Sequence, residues 1–162
     1  MKKTGKIRTL RGRITPVGNK ADQQLILNDQ LINHGLKINR FTIWPERLFG
    51  QSTSPLIYNA ILSYAQLQSA AIQMDAGDNT QIAWAFGGQS PGAAGADPGA
   101  DGDLGARSII DPDHIVNRDL FVSFRNTTNA PFNYLIECEF IELTDDEAII
   151  TIIKENSQSV EQ

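Results

Sequence analysis

The stretch Phe132-Asn133-Tyr134-Leu135-Ile136-Glu137-Cys138-Glu139-Phe140-Ile141-Glu142-Leu143 repeats with a period of two. Phe132, Tyr134, Ile136, Cys138 and Phe140 fall on one side, and Asn133, Glu137 and Glu139 on the other. Successive side chains of an extended strand point to opposite faces, so this pattern describes a strand with one face on a core and one towards water. Just upstream, Leu120, Val122 and Phe124 alternate with Ser123 and Arg125 in the same way. Between the two runs, Asn126-Thr127-Thr128-Asn129-Ala130-Pro131 is a block of turn formers, and the whole reads as a long antiparallel hairpin.

Working outward, short β-branched and aromatic runs alternate with Gly, Pro, Asn and Asp clusters, the spacing of an all-β domain. Leu25-Ile26-Leu27 and Leu36 to Trp44 are strand candidates. In the second the apolar phase changes from Leu36 and Ile38 to Phe41 and Ile43, which places a bulge near Asn39-Arg40 or a strand buried on both faces. Ile57 to Leu67 also fits a helical stripe but is read as a strand. Ile72-Gln73-Met74, Gln81 to Phe86, Ser108-Ile109-Ile110 and Ile115-Val116 complete the set.

Residues 87–105 hold seven glycines and two prolines with Ala, Ser and Asp, and so little to bury that a long exposed loop is expected. Thr144-Asp145-Asp146-Glu147 is a capping box that opens a helix, with acids at its positive end. Ile149, Ile152 and Ile153 form the expected apolar face of that helix, with Ile150 beside it, before a polar tail. The expected organisation is therefore a basic arm over 1–20, a β-sandwich over 21–143, and a C-terminal helix with its tail over 144–162. Eight or nine antiparallel strands with long connections suit an all-β antiparallel sandwich of the single jelly-roll kind, closed by a short helix.

At 162 residues the chain suffices for one domain with its own core. No run of eighteen apolar residues is present, so no membrane span is expected, and the basic start lacks the apolar segment of a signal peptide. One cysteine, Cys138, rules out an internal disulfide and suits a cytosolic origin.

Charge is divided along the chain. Seven of fourteen Lys and Arg residues lie in residues 1–20, where none of the nineteen acids occurs. That end carries +7, and the other seven cations against nineteen acids leave the remainder at −12, which together give the net −5. A cationic segment on an anionic body favours contact with the body of another copy, or with phosphate. Lys2, Lys3, Lys6, Arg8, Arg11 and Arg13 are the candidate subunit-interface or nucleic-acid contacts. Ile7, Leu10 and Ile14 are interleaved with them, so the segment has something to bury and can add a strand to a sheet edge. It carries no aromatic residue for base stacking, so contact with nucleic acid would ignore sequence.

Catalytic chemistry finds little to hold. His34 and His114 are eighty residues apart in turn-like contexts, and Cys138 sits on the inward row of a strand, where a thiol is a small hydrophobe rather than a nucleophile. No nucleophile elbow, P-loop or dinucleotide fingerprint is present. No enzyme and no cofactor are expected. Asp97, Asp101 and Asp103, with Asp111 and Asp113 nearby, could offer oxygen to calcium, but their spacing matches no calcium loop and a solvated acidic loop is the simpler reading. Trp44 and Trp84 could stack on a sugar, but their apolar contexts favour the core.

The segments Ile110-Asp111-Pro112-Asp113-His114-Ile115-Val116, Arg118-Asp119-Leu120 and Glu142-Leu143-Thr144-Asp145-Asp146-Glu147-Ala148, with Thr9-Leu10-Arg11-Gly12-Arg13-Ile14, resemble small structural proteins of marine bacterial viruses, within the class of single jelly-roll coat proteins. The resemblance covers most of the chain outside 48–105. It implies a capsid protein of a bacteriophage virion, made in the host cytoplasm, that packs against copies of itself and other virion proteins, with an interior-facing basic arm. This arm is short and the chain acidic, which favours subunit contact over genome packaging, although non-specific contact with packaged nucleic acid is compatible. The alternative is a loop-based binding module: a lectin-like domain, a receptor-binding spike or a decoration protein.

Overall fold

In a computed structural model the chain folds into two antiparallel sheets packed as a sandwich, with one short helix at the C-terminal end. The structure describes residues 1–25, 31–46, 56–67, 73–89 and 107–158. The strands are β1 (Lys2–Ile14), β2 (Lys20–Leu25), β3 (His34–Pro45), β4 (Leu56–Ser63), β5 (Gln81–Gln89), β6 (Arg107–Ile110), β7 (Leu120–Asn126) and β8 (Phe132–Glu142), followed by α1 (Asp145–Gln158).

One sheet has the order β1-β8-β3 and the other β2-β7-β4-β5-β6. A long hairpin of eight strands rolled into a sandwich pairs first with eighth, second with seventh, third with sixth and fourth with fifth, which is the jelly-roll arrangement. Three of these pairs are present: β1 with β8, β2 with β7, and β4 with β5. The fourth is displaced, since β6 pairs with β5. What remains between the third strand and this part of the chain is the bridge between Leu36 and Val116. Ile115-Val116, expected as strand, contributes that bridge alone.

The core lies between the sheets. Phe41 from β3, Ile136 from β8, and Leu62, Leu120 and Val122 from the opposite sheet are fully buried. Phe132 packs its ring against Tyr58 at 4.7 Å and Phe124 at 4.6 Å between centroids, tying the sheets together. The alternation that begins with Phe132 is therefore the inner face of β8.

The expected hairpin of residues 120–143 is corrected. β7 and β8 are consecutive but lie in different sheets, and the turn between them is a corner of the sandwich. There Asn126 Oδ1 accepts from the amides of Thr128 and Asn129, Asn126 Nδ2 donates to Ala130 O at 2.8 Å, and Asn129 takes a positive φ of 55°. A period of two shows that each strand has one buried face. It does not distinguish strands bonded edge to edge from strands that face each other across a core.

Other expectations fall variously. The phase change in β3 is a register shift between Ile38 and Arg40. Of Ile57 to Leu67, residues 57–63 are strand, as read, and 64–67 are irregular. β2 reaches Leu25, whereas Ile26-Leu27, Ile72 and the Asp97, Asp101, Asp103 group lie outside the described residues. Gln73 and Met74 are irregular rather than strand. Gly87, Gly88 and Gln89, assigned to the loop, belong to β5, where they pair with Tyr58, Ile57 and Leu56 of β4, and a Cβ at Gly87 would meet the Tyr58 hydroxyl at 2.5 Å; the rest of the expected loop, 90–105, lies outside the described residues.

The capping box forms as read: the Thr144 amide donates to Glu147 Oε2 at 3.0 Å and the Glu147 amide to Thr144 Oγ1 at 3.3 Å. Of the expected apolar face only Ile152 is half-buried. Ala148, packed against Ile141 and Leu143, and Thr151 are the buried positions, while Ile149, Ile150 and Ile153 are exposed. Small side chains let the helix sit close to the sheet, and the bulky ones turn outward.

Candidate interaction surface on the first strand

The basic segment is β1 itself, an edge strand of the three-stranded sheet paired along its length with β8 of the same chain. The boundary expected near residue 20 is therefore no separation of arm from body. Ile14 belongs to the core and Leu10 packs against it. Opposite residues on paired strands share a face, so Gly12, Leu10 and Arg8 follow Tyr134, Ile136 and Cys138 on the inner side. Arg11 and Arg13 follow Leu135 and Asn133 on the outer side.

A bulge interrupts the ladder between Lys3 and Ile7. Gly5 adopts φ 70° there, a conformation that costs glycine little, and Thr4 Oγ1 donates to Phe140 O at 2.7 Å. The bulge, the cations and the inward-directed Arg8 are devices that keep an edge strand from indiscriminate pairing.

Of the six candidate contacts, two are engaged within the chain. Lys3 Nζ lies 3.1 Å from Glu139 Oε2, and Arg13 donates to Glu46 Oε2 at 2.8 Å. Lys2, Lys6, Arg8 and Arg11 form no ion pair among the described residues. Four cations on one exposed strand thus stand outside any ion pair among the described residues, Lys2 lying opposite Glu142 in the ladder. Ile7, 69% exposed, sits among them.

The outer face of the same sheet carries Lys37 and Arg40 of β3 opposite Glu139 and Glu137 of β8. At its far end stands Trp44, opposite Asn133 and exposed, not in the core as its apolar neighbours implied. Trp84 is half-buried against Ile61 and Leu67, and its Nε1 donates to Gln81 Oε1 at 2.8 Å.

Neither His114 nor Cys138 is arranged for chemistry. The Ile38 amide, placed at the β3 bulge, donates to His114 Nε2 at 2.7 Å, while His114 Nδ1 meets the Asp111 carbonyl. The ring is thereby held neutral, with its pKa lowered chiefly by burial. Burial pushes the Cys138 thiol up to about 11, with Arg8 pulling weakly the other way. Among the described residues no group of three His, Cys, Asp or Glu side chains could hold a metal, and no helix is long and apolar enough to cross a membrane. Asp111 spends Oδ1 on the Asp113 amide at 2.9 Å.

Sequence reasoning missed the device that joins the two edge strands. Gly18 and Asn19, with φ 62° and 66°, form a two-residue turn closed by mutual bonds between Val17 and Lys20, and the chain passes there from one sheet to the other. Tyr134 crosses over Gly12 and hydrogen-bonds Gln23 of β2. Gly-Asn between two extended runs was the available signal.

No protein-family model matches the chain, and no curated protein and no solved structure matches it.

Proposed function

We propose that the chain is a viral structural protein, a capsid subunit that assembles with copies of itself through its basic first strand and its sandwich edges. The observation that supports this most is that Lys2, Lys6, Arg8 and Arg11, on an edge strand of a molecule whose residues beyond 20 carry −12, form no ion pair among the described residues. Each copy offers a cationic edge and an anionic body, so association lowers the electrostatic energy of both. The strand order, the exposed isoleucines and the resemblance to phage coat proteins agree with a building block of a virion, formed in the host cytoplasm. The same cations would accept phosphate of packaged nucleic acid without reading its sequence.

Truncating residues 1–13 is a poor test, since it would strip β8 of its partner and uncover core residues. Charge reversal keeps the strand. The full chain carrying Lys6→Glu, Arg8→Glu and Arg11→Glu is expected to retain its circular dichroism and to lose the oligomers that the unaltered chain forms at low salt in sedimentation velocity. Unchanged oligomers would refute the reading.

A second reading has one observation in its favour. Trp44 is exposed beside the row of Arg13 and Asn133, as a sugar-stacking residue of a lectin-like, receptor-binding or decoration module would be. Specific glycan binding by a monomer, abolished by Trp44→Ala, would favour it over assembly.

A further inference from the structure

We propose that the cleft between the β5–β6 edge and α1 receives the basic first strand of a second copy of this chain. This rests on the self-assembly reading and names the surface on the other side of the contact. The cleft encloses about 900 Å³. Trp84, Ile109 and Ile150 give it apolar walls, with Ile109 and Ile150 more than half exposed. Asp78, Asp111, Asp113 and Glu147 give it an acidic lining.

The carboxylates are not equally available. Asp78 accepts from Thr80 and Gln81, and Glu147 is held by the terminal amine of Met1 and the Thr144 amide. Asp111 keeps one oxygen free, and the Asp113 carboxylate has no partner among the described residues. His114, held neutral, adds no positive charge. The cleft therefore offers apolar walls and the carboxylates of Asp111 and Asp113.

β1 has the opposite character. Lys6, Arg8 and Arg11 form no ion pair among the described residues, and Ile7, 69% exposed, lies on the outer face of the strand that Arg11 shares, with Arg8 on the inner one. The chain cannot satisfy its own cleft with this strand, because residues 7–14 are committed to the β8 ladder and only Met1 reaches the lining. A second copy can, and the apolar side chain and the cations would each meet their complement. Strand and cleft are different surfaces, so the contact is head-to-tail and propagates from copy to copy until it closes into a ring or shell.

Two variants of the full chain test this. In one, Lys6→Glu, Arg8→Glu and Arg11→Glu remove the donor strand's charge. In the other, Asp113→Lys and Ile150→Lys spoil the cleft at exposed positions. Each alone is expected to sediment as the 17.8 kDa monomer. Mixed in equal amounts at low salt they are expected to form a 1:1 complex and nothing larger, because only one intact pair of surfaces remains. A mixture that stays monomeric, or a cleft variant that assembles like the unaltered chain, overturns the cleft assignment while the assembly reading stands. An unaltered chain that is monomeric at every salt concentration overturns both.

Discussion

His114 shows how a single side chain substitutes for backbone pairing. β3 is the edge of its sheet, and the Ile38 amide, on the same side as the Leu36 amide that bonds Val116, donates to an imidazole from the segment after β6. Protonation would replace that acceptor with a donor, and burial already lowers the ring's pKa below 6.5. The unfolded chain therefore binds the proton more readily, and the stability that neutral His114 contributes is complete above pH 6.5 and is lost as pH falls from there towards the lowered folded value. Urea midpoints of the unaltered chain and His114→Gln should converge as pH drops from 7 to 5, and a gap that stays constant would contradict this. Cys138, with its thiol held up at about 11, should resist a disulfide reagent at pH 8 until urea is added. Gly12→Ala would set a Cβ 2.6 Å from the Tyr134 hydroxyl. Relieving that overlap should cost about 1–3 kcal/mol, read as a lower denaturation midpoint.

Elements were legible in the sequence where one face alone meets the core. β8 could be read from Phe132 to Glu142, and the β3 bulge from its change of phase, because burial imprints a period on the residues. Partnership leaves no such imprint, which is why β7 and β8 read as a hairpin although they face each other across the core. The helix shows a related limit. Its start was legible in Thr144 and Glu147, whose side chains bond locally, whereas its docking face depends on a close approach that favours Ala148 and Thr151 over Ile149, Ile150 and Ile153. Removing the cap by Thr144→Ala should cost about 1 kcal/mol and lower the thermal midpoint, with the sheets unaffected. The six basic contact candidates were legible as a charge pattern. That Lys3 and Arg13 are spent on Glu139 and Glu46 was not, since those acids come from distant strands and a bend after β3.

At the scale of the molecule, the two ends of the charge division reach different surfaces. Pairing β1 with β8 places the cations on one edge of the sandwich, while Asp111 and Asp113 line a cleft whose walls come from β5, β6 and α1. Attraction between exposed charges weakens as the screening length shrinks from about 30 Å at 0.01 M salt to about 3 Å at 1 M. Light scattering of the unaltered full chain across that range is the most direct test. Particles or oligomers at low salt that dissociate to a 17.8 kDa species at high salt are the expected result. A monomer throughout, or a particle whose size ignores salt, would contradict assembly driven by the cationic strand.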